Sequence, residues 1–135
     1  MTAMRRALPF ALAALLSGCY LGQTAAKFEP ARGPRGVAVS ITTVSRTNVF
    51  GELIEVGSES LLVDTAPAVV LVPYTAIRRA AFMQTGLFID QGRAPSPSTR
   101  EKMRLLSRFP QGLSPELRQR LLEAHGQTDV TRVAP

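Results

Sequence analysis

Between Gly36 and Phe82 the chain cuts its apolar residues into five short runs, each closed by a turn signal, within fewer than fifty residues. Val37, Val39 and Ile41 alternate with Ala38, Ser40 and Thr42, the period of a half-buried strand. Ser45 to Asn48 is a polar turn, and Val49 to Val56 reads as a second strand with Gly51 inside it. A glycine there marks a bulge, a sharp bend or a close approach of two backbones. Gly57-Ser58-Glu59 reverses the chain into a third strand, Ser60 to Asp64. Ala66-Pro67-Ala68 turns again, Val69 to Val72 is a continuous apolar strand, Pro73 to Ala76 is a short break, and Ile77 to Phe82 is a fifth strand. Strands this short and this close together can satisfy their edges in two ways: they curl into a small barrel, or they pair with another chain. Met83 to Asp90 either extends the sheet or leaves it, and Leu87, Phe88 and Ile89 are apolar enough to pack on it.

The stretch from Val49 to Phe82 resembles the core of an Sm-like (Hfq-like) domain. The residues that carry the likeness are Gly51 and Leu53 on one strand, the one-glycine hairpin leading into Leu61-Leu62-Val63, and the tyrosine-containing break Val72-Pro73-Tyr74-Thr75-Ala76-Ile77. The resemblance implies a five-stranded bent antiparallel barrel of Sm/SH3 type over residues 36–90. It does not carry over RNA chemistry. Tyr74 and Thr75 stand where the RNA chaperone has its Lys-His pair, and Thr75 can neither act as a cation nor stack on a base. The family's N-terminal helix is also missing, because Pro30 and Pro34 interrupt that region. Members of the superfamily often assemble by strand addition. The Val69–Val72 strand could do so here, or the C-terminal segment could cover its edge.

Residues 91–97 form a linker broken by Gly92, Pro95 and Pro97. An αα-hairpin is expected over residues 98–126, making the fold class α+β. Ser98 and Glu101 match a capping box, and the first helix is expected to run to about Phe109, before Pro110 and Gly112. Ser114, Pro115 and Glu116 open the second helix, and Gly126 closes it just after His125. Met103, Leu106 and Phe109 lie on one stripe, and Leu117, Leu121 and Ala124 on another. Residues 127–135 form a tail.

The N-terminus bears on location. Arg5 and Arg6 precede an apolar run from Ala7 to Leu16, which ends in Leu16-Ser17-Gly18-Cys19. A run of ten residues, interrupted by Pro9, falls short of the about 20 that a spanning helix needs. A positive start, a short apolar middle and a small-residue cleavage site are the parts of an export signal. The four residues resemble a bacterial lipobox. That resemblance implies cleavage after Gly18, with residues 1–18 as signal peptide, acylation of Cys19 and a lipidated tether over 19–35. Cys19 is the only cysteine, so no disulfide can form within the chain. Tyr20 stands where an aspartate would resemble an inner-membrane retention signal. The implied location is thus the outer membrane of the cell envelope, facing the periplasm.

The formal charge is +6, and it is unevenly spread. Gly36 to Phe82 carries a net −1, whereas Arg93 to Arg132 carries +4. In an exported protein the anionic partners of such a segment are phospholipid head groups, lipopolysaccharide and acidic envelope polymers, but charge runs usually form a solvated helix face, and that is the preferred reading of these arginines. His125 is the only histidine and sits at a helix C-terminus, where it serves as a cap. No cluster of metal ligands, no Gly-x-Ser-x-Gly elbow and no phosphate loop is present, so no catalytic residue, metal or cofactor is expected. Glu52 and Glu55 would point to opposite faces of a strand. The candidate partner-binding residues are Tyr74, Arg78 and Arg79. The expected function is a non-enzymatic, lipid-anchored envelope module that contacts a membrane through its anchor and a protein partner or a second copy through strand edges. The alternative is a cytoplasmic Sm-like RNA-binding ring. Helix-turn-helix DNA binding does not fit an exported chain.

Overall fold

Val39 and Ile41 are fully buried while Ser40 between them is exposed, the burial of a strand packed on one side. The computed structural model describes residues 35–135. Its strands are β1 (Ala38–Thr43), β2 (Asn48–Val56), β3 (Ser60–Asp64), β4 (Val69–Pro73), β5 (Ile77–Phe82), β6 (Phe88–Asp90) and β7 (Thr131–Arg132); its helices are α1 (Pro97–Leu106) and α2 (Pro115–Ala124). A single 3-10 turn, Tyr74–Ala76, joins β4 to β5. The fold is α+β, and the five strands expected from the turn residues all form within a residue or so of their expected limits.

All seven strands belong to one sheet, in the order β6-β5-β1-β2-β3-β4-β7. Every pairing is antiparallel except that of β4 with β7. The ladder does not close on itself: β5 pairs outward with β6, and β4 pairs outward with β7. Of the two fates expected for the β4 edge, cover by the C-terminal segment is the one realised. Val70 and Leu71 lie opposite Thr131 and Arg132. Gln127 extends this cover with its side chain. Its Oε1 accepts from the Val69 N–H at 2.7 Å and its Nε2 donates to the Val69 carbonyl at 3.2 Å, as a neighbouring strand would.

Two features bend the sheet. Gly51 lies so close to β3 that a Cβ there would sit 2.1 Å from the Asp64 carbonyl oxygen, so only glycine fits. Between Leu53 and Glu55 the β2–β3 register slips. The Leu53 and Ile54 carbonyls are then taken by the Arg108 and Phe109 N–H groups at 2.9 and 3.0 Å. These bonds explain why α1 stops at Leu106 rather than at Phe109. The chain past Ser107 runs extended along β2, and Ser107 itself is β-region backbone. The cap of α1 is also displaced. Ser96 Oγ, not Ser98, accepts from the Thr99 N–H, Pro97 takes the first helical position, and Glu101 pairs with Arg104 instead.

The inner face of the sheet buries Val39, Ile41, Leu53, Val63, Val72 and Ile77, and Met103 of α1 enters the same cluster. The outer face of β2, β3 and β4 carries a second cluster of Ile54, Leu62, Val69 and Leu122 of α2, flanked by Phe109. The two helices therefore spend their apolar side chains on opposite faces of the sheet, not on each other as a simple αα-hairpin would. The stripe of α2 is correspondingly shifted: Leu122 is buried, whereas Leu117 is 41% exposed. Burying Leu122 contributes roughly 2 kcal/mol.

Candidate functional site

Leu16, Ser17, Gly18 and Cys19 lie outside the described residues. Of the other candidates, Tyr74 is buried in the inner cluster. Its hydroxyl donates to the Gly57 carbonyl at 2.9 Å, and its own N–H donates to the Glu59 carbonyl at 2.9 Å. The residue thus fastens the β2–β3 turn to the break before β5. Burial pushes its hydroxyl pKa up to about 12, against a partial lowering by the positive charge of Arg100. A ring held this way is not offered to a partner. Arg78 and Arg79 are exposed on β5, so Tyr74 and the two arginines do not form one surface.

Arg79 belongs instead to a set of residues that the sheet register brings together on the outer face. Directly opposed residues point to the same side of a sheet. Phe50 lies opposite Ser40, Ser40 opposite Ala81, and Ala81 opposite Phe88. One transverse row over β2, β1, β5 and β6 therefore reads Phe50, Ser40, Ala81, Phe88. The next row reads Asn48, Thr42, Arg79, Asp90. Phe50 is 61% and Phe88 57% exposed. Met83, whose N–H bonds to the Ala38 carbonyl beside the first row, is exposed as well. Phe88 was expected to pack on the sheet; its neighbour Ile89 does so, and Phe88 faces out. Strand parity was the available signal for Phe50. It stands one residue from buried Val49, on the side that Ser40 and Glu52 mark as polar.

Arg79 Nε and Asp90 Oδ1 are 3.9 Å apart on this face, with both side chains well exposed, so the pair contributes little stability. Glu52 closes the face at its β2 end. Its Oε1 accepts from the Gly36 N–H at 2.7 Å and lies 3.8 Å from Arg108 Nε. Beyond Glu52 the same row continues to Asp64 and Val69, which are under α2. The outer face is thus divided into a half covered by α2 and an open half with two aromatic rings.

His125 marks the border, as the C-cap of α2. Its Nδ1 lies 2.8 Å from the Leu121 carbonyl and its Nε2 2.9 Å from Asp64 Oδ1. Either neutral tautomer would leave one ring nitrogen's lone pair aimed at an acceptor, so the geometry favours the imidazolium. The bond to the Leu121 carbonyl raises the His125 pKa above the ordinary imidazole value; burial opposes the rise, and the charge and hydrogen bond of Asp64 add to it. With both nitrogens engaged, this imidazole has no free position from which to take a proton from a nucleophile. A shallow groove of about 460 Å³ runs beside α2 between Arg118, Leu122 and Gln127. Among the described residues no group of His, Cys, Asp or Glu side chains is placed to hold a metal ion, and no helix is long and apolar enough to cross a membrane. Comparison with protein-family models, with curated proteins and with solved structures returns no match.

Proposed function

We propose that this chain is a lipid-anchored cell-envelope protein that acts by binding rather than by chemistry. The observation that carries the reading is Leu16-Ser17-Gly18-Cys19 at the end of the Ala7–Leu16 apolar run. Cys19, acylated, is the attachment point, and residues 20–34 link it to a sheet that begins at Ala38. The location is the bacterial envelope, with Tyr20 after the cysteine favouring the outer membrane. The β core is read as a variant of the Sm/SH3 type. The order β5-β1-β2-β3-β4 and the 3-10 turn between β4 and β5 support this, and β6 and β7 are additions to its two edges. These short strands now form the two edges, and the partner contact is read on the open outer face, where Phe50 and Phe88 are exposed.

Mass spectrometry of the protein purified from membranes tests the anchor. The expected product starts at residue 19 and carries acyl chains, and Cys19→Ser abolishes both. A product that keeps Met1, extracts into water without detergent and binds RNA with an affinity that falls with salt would replace this reading with the ring-forming RNA-binding one.

A further inference from the structure

We infer that the open outer face over β2, β1, β5 and β6 is a docking surface for an anionic phospholipid bilayer, with Phe50 and Phe88 entering the interface. Two exposed phenylalanines stand at the ends of one row, separated by the small residues Ser40 and Ala81. Large apolar groups standing out from an open sheet face suit insertion just below lipid head groups, where a protein surface buries its apolar side by about 5–10 Å. Met83 adds a third exposed apolar side chain beside the row. The charges of the face complement an anionic surface. Arg79 lies in the adjacent row, Arg78 is exposed next to it, and Arg46 is exposed on the β1–β2 turn at the same end of the strands; Asp90 is the acidic residue among them.

A second copy of the chain fits the face less well. Phe50 and Phe88 are three strand spacings apart, about 14 Å, and the apolar row is a single residue deep, so a few exposed side chains are all the apolar area it offers. A stable protein interface needs about 800 Å² on each partner. A bilayer has no such threshold when something else holds the protein beside it. The inference rests at this point on the anchored reading: acyl chains on Cys19 would keep the face within reach, since Cys19 precedes the start of β1 by only 19 residues.

The chain contains no tryptophan, so single replacements report without background. Phe50→Trp, Phe88→Trp and, as a control on α1, which packs against the opposite face of the sheet, Leu105→Trp are made in the full chain and purified from membranes. Each is reconstituted with phosphatidylcholine vesicles, with and without phosphatidylglycerol, containing brominated acyl chains. The expected result is quenching and a blue shift at positions 50 and 88 in the phosphatidylglycerol vesicles, and neither at position 105. Arg78→Gln and Arg79→Gln should each reduce the phosphatidylglycerol-dependent quenching of the Phe50→Trp protein. The inference is overturned if positions 50 and 88 stay unquenched on protein that has bound vesicles, or if position 105 is quenched equally. It is overturned also if the blue shift appears without lipid and grows with protein concentration, which would assign the face to a second copy. Acylation at Cys19 with no quenching sinks the docking face alone. Quenching without acylation sinks the anchor alone.

Discussion

The replacement Asp64→Asn isolates the charge in the contact that joins α2 to β3. Asparagine keeps an oxygen for the Ala66 N–H, which Asp64 Oδ1 accepts at 2.8 Å, and for the Nε2–H of His125. What it removes is the negative charge beside the imidazolium. A hydrogen bond to a charged partner contributes about 1 kcal/mol more than a neutral one, so the variant should lose about 1 kcal/mol where His125 is protonated. The side chains of His125 and Asp64 are only 12% and 15% exposed, so solvent screens this little. The His125 pKa is raised in the folded chain, from an ordinary value of 6.5. A raised value means that the contribution is present in full below the unfolded pKa and is lost as pH rises through the folded one. The variant should therefore melt about 5 °C below the parent at about pH 5.5 and level with it at about pH 8.5. By the same linkage, its histidine should titrate at a lower pH than the parent's. His125 is the only histidine, so one imidazole resonance in an NMR titration reads this directly. An equal loss of melting temperature at both pH values, or a histidine titration that the replacement leaves unmoved, would refute the imidazolium assignment.

Four other replacements test the fold. Gly51→Ala drives a Cβ against the Asp64 carbonyl, a backbone atom that cannot swing away, and should cost at least about 2 kcal/mol in a urea melt. Gln127→Ala strips Val69 of both edge partners. It should cost about 1 kcal/mol and speed hydrogen exchange at the Val69 amide several-fold. Met103→Ala empties a fully buried site where α1 meets the inner cluster and should cost about 2–4 kcal/mol, whereas Phe88→Ser on the open face should change stability by less than about 0.5 kcal/mol.

The strands were legible because each is bounded by residues with a local reason to turn: Ser45 to Asn48, Gly57, Pro67, Pro73. The start of α2 was legible on the same ground, since Ser114 caps Leu117 and Pro115 fits the first position. What could not be read depended on residues far apart in sequence. Asp64 and His125 are 61 positions apart, and Val69 and Gln127 are 58 apart. Thr131 and Arg132 have no strand pattern of their own and become β7 only because the β4 edge is there to pair with. The length of α1 went astray for a related reason. Arg108 and Phe109 have helical spacing, but the bulge in β2 leaves the Leu53 and Ile54 carbonyls open, and bonding these outweighs one more helical turn. Phe88 was expected to pack on the sheet, but successive residues of a strand face opposite sides, and Ile89 takes the inward place.

The division of the outer face follows from where β2 bends. Up to Glu52 its outward residues stand in register with β1 and face solvent; past the bulge Ile54 turns under Phe109 and α2. The two charged contacts nearest that line, Arg108 with Glu52 and His125 with Asp64, sit on neighbouring strands in one row, since Glu52 lies directly opposite Asp64. Each fastens a different part of the C-terminal segment to the sheet. The apolar side chains that α2 hides, Ile54, Leu62 and Val69, would otherwise continue the open face across to β4. The C-terminal segment is therefore what limits the exposed aromatic surface to four strands, and it does so with polar contacts at the border and apolar ones behind it. Partition of this kind lets a small sheet keep a stable core on one face while leaving two rings of the other uncovered, because the helices, the bulge partners and β7 supply the packing that those rings do not.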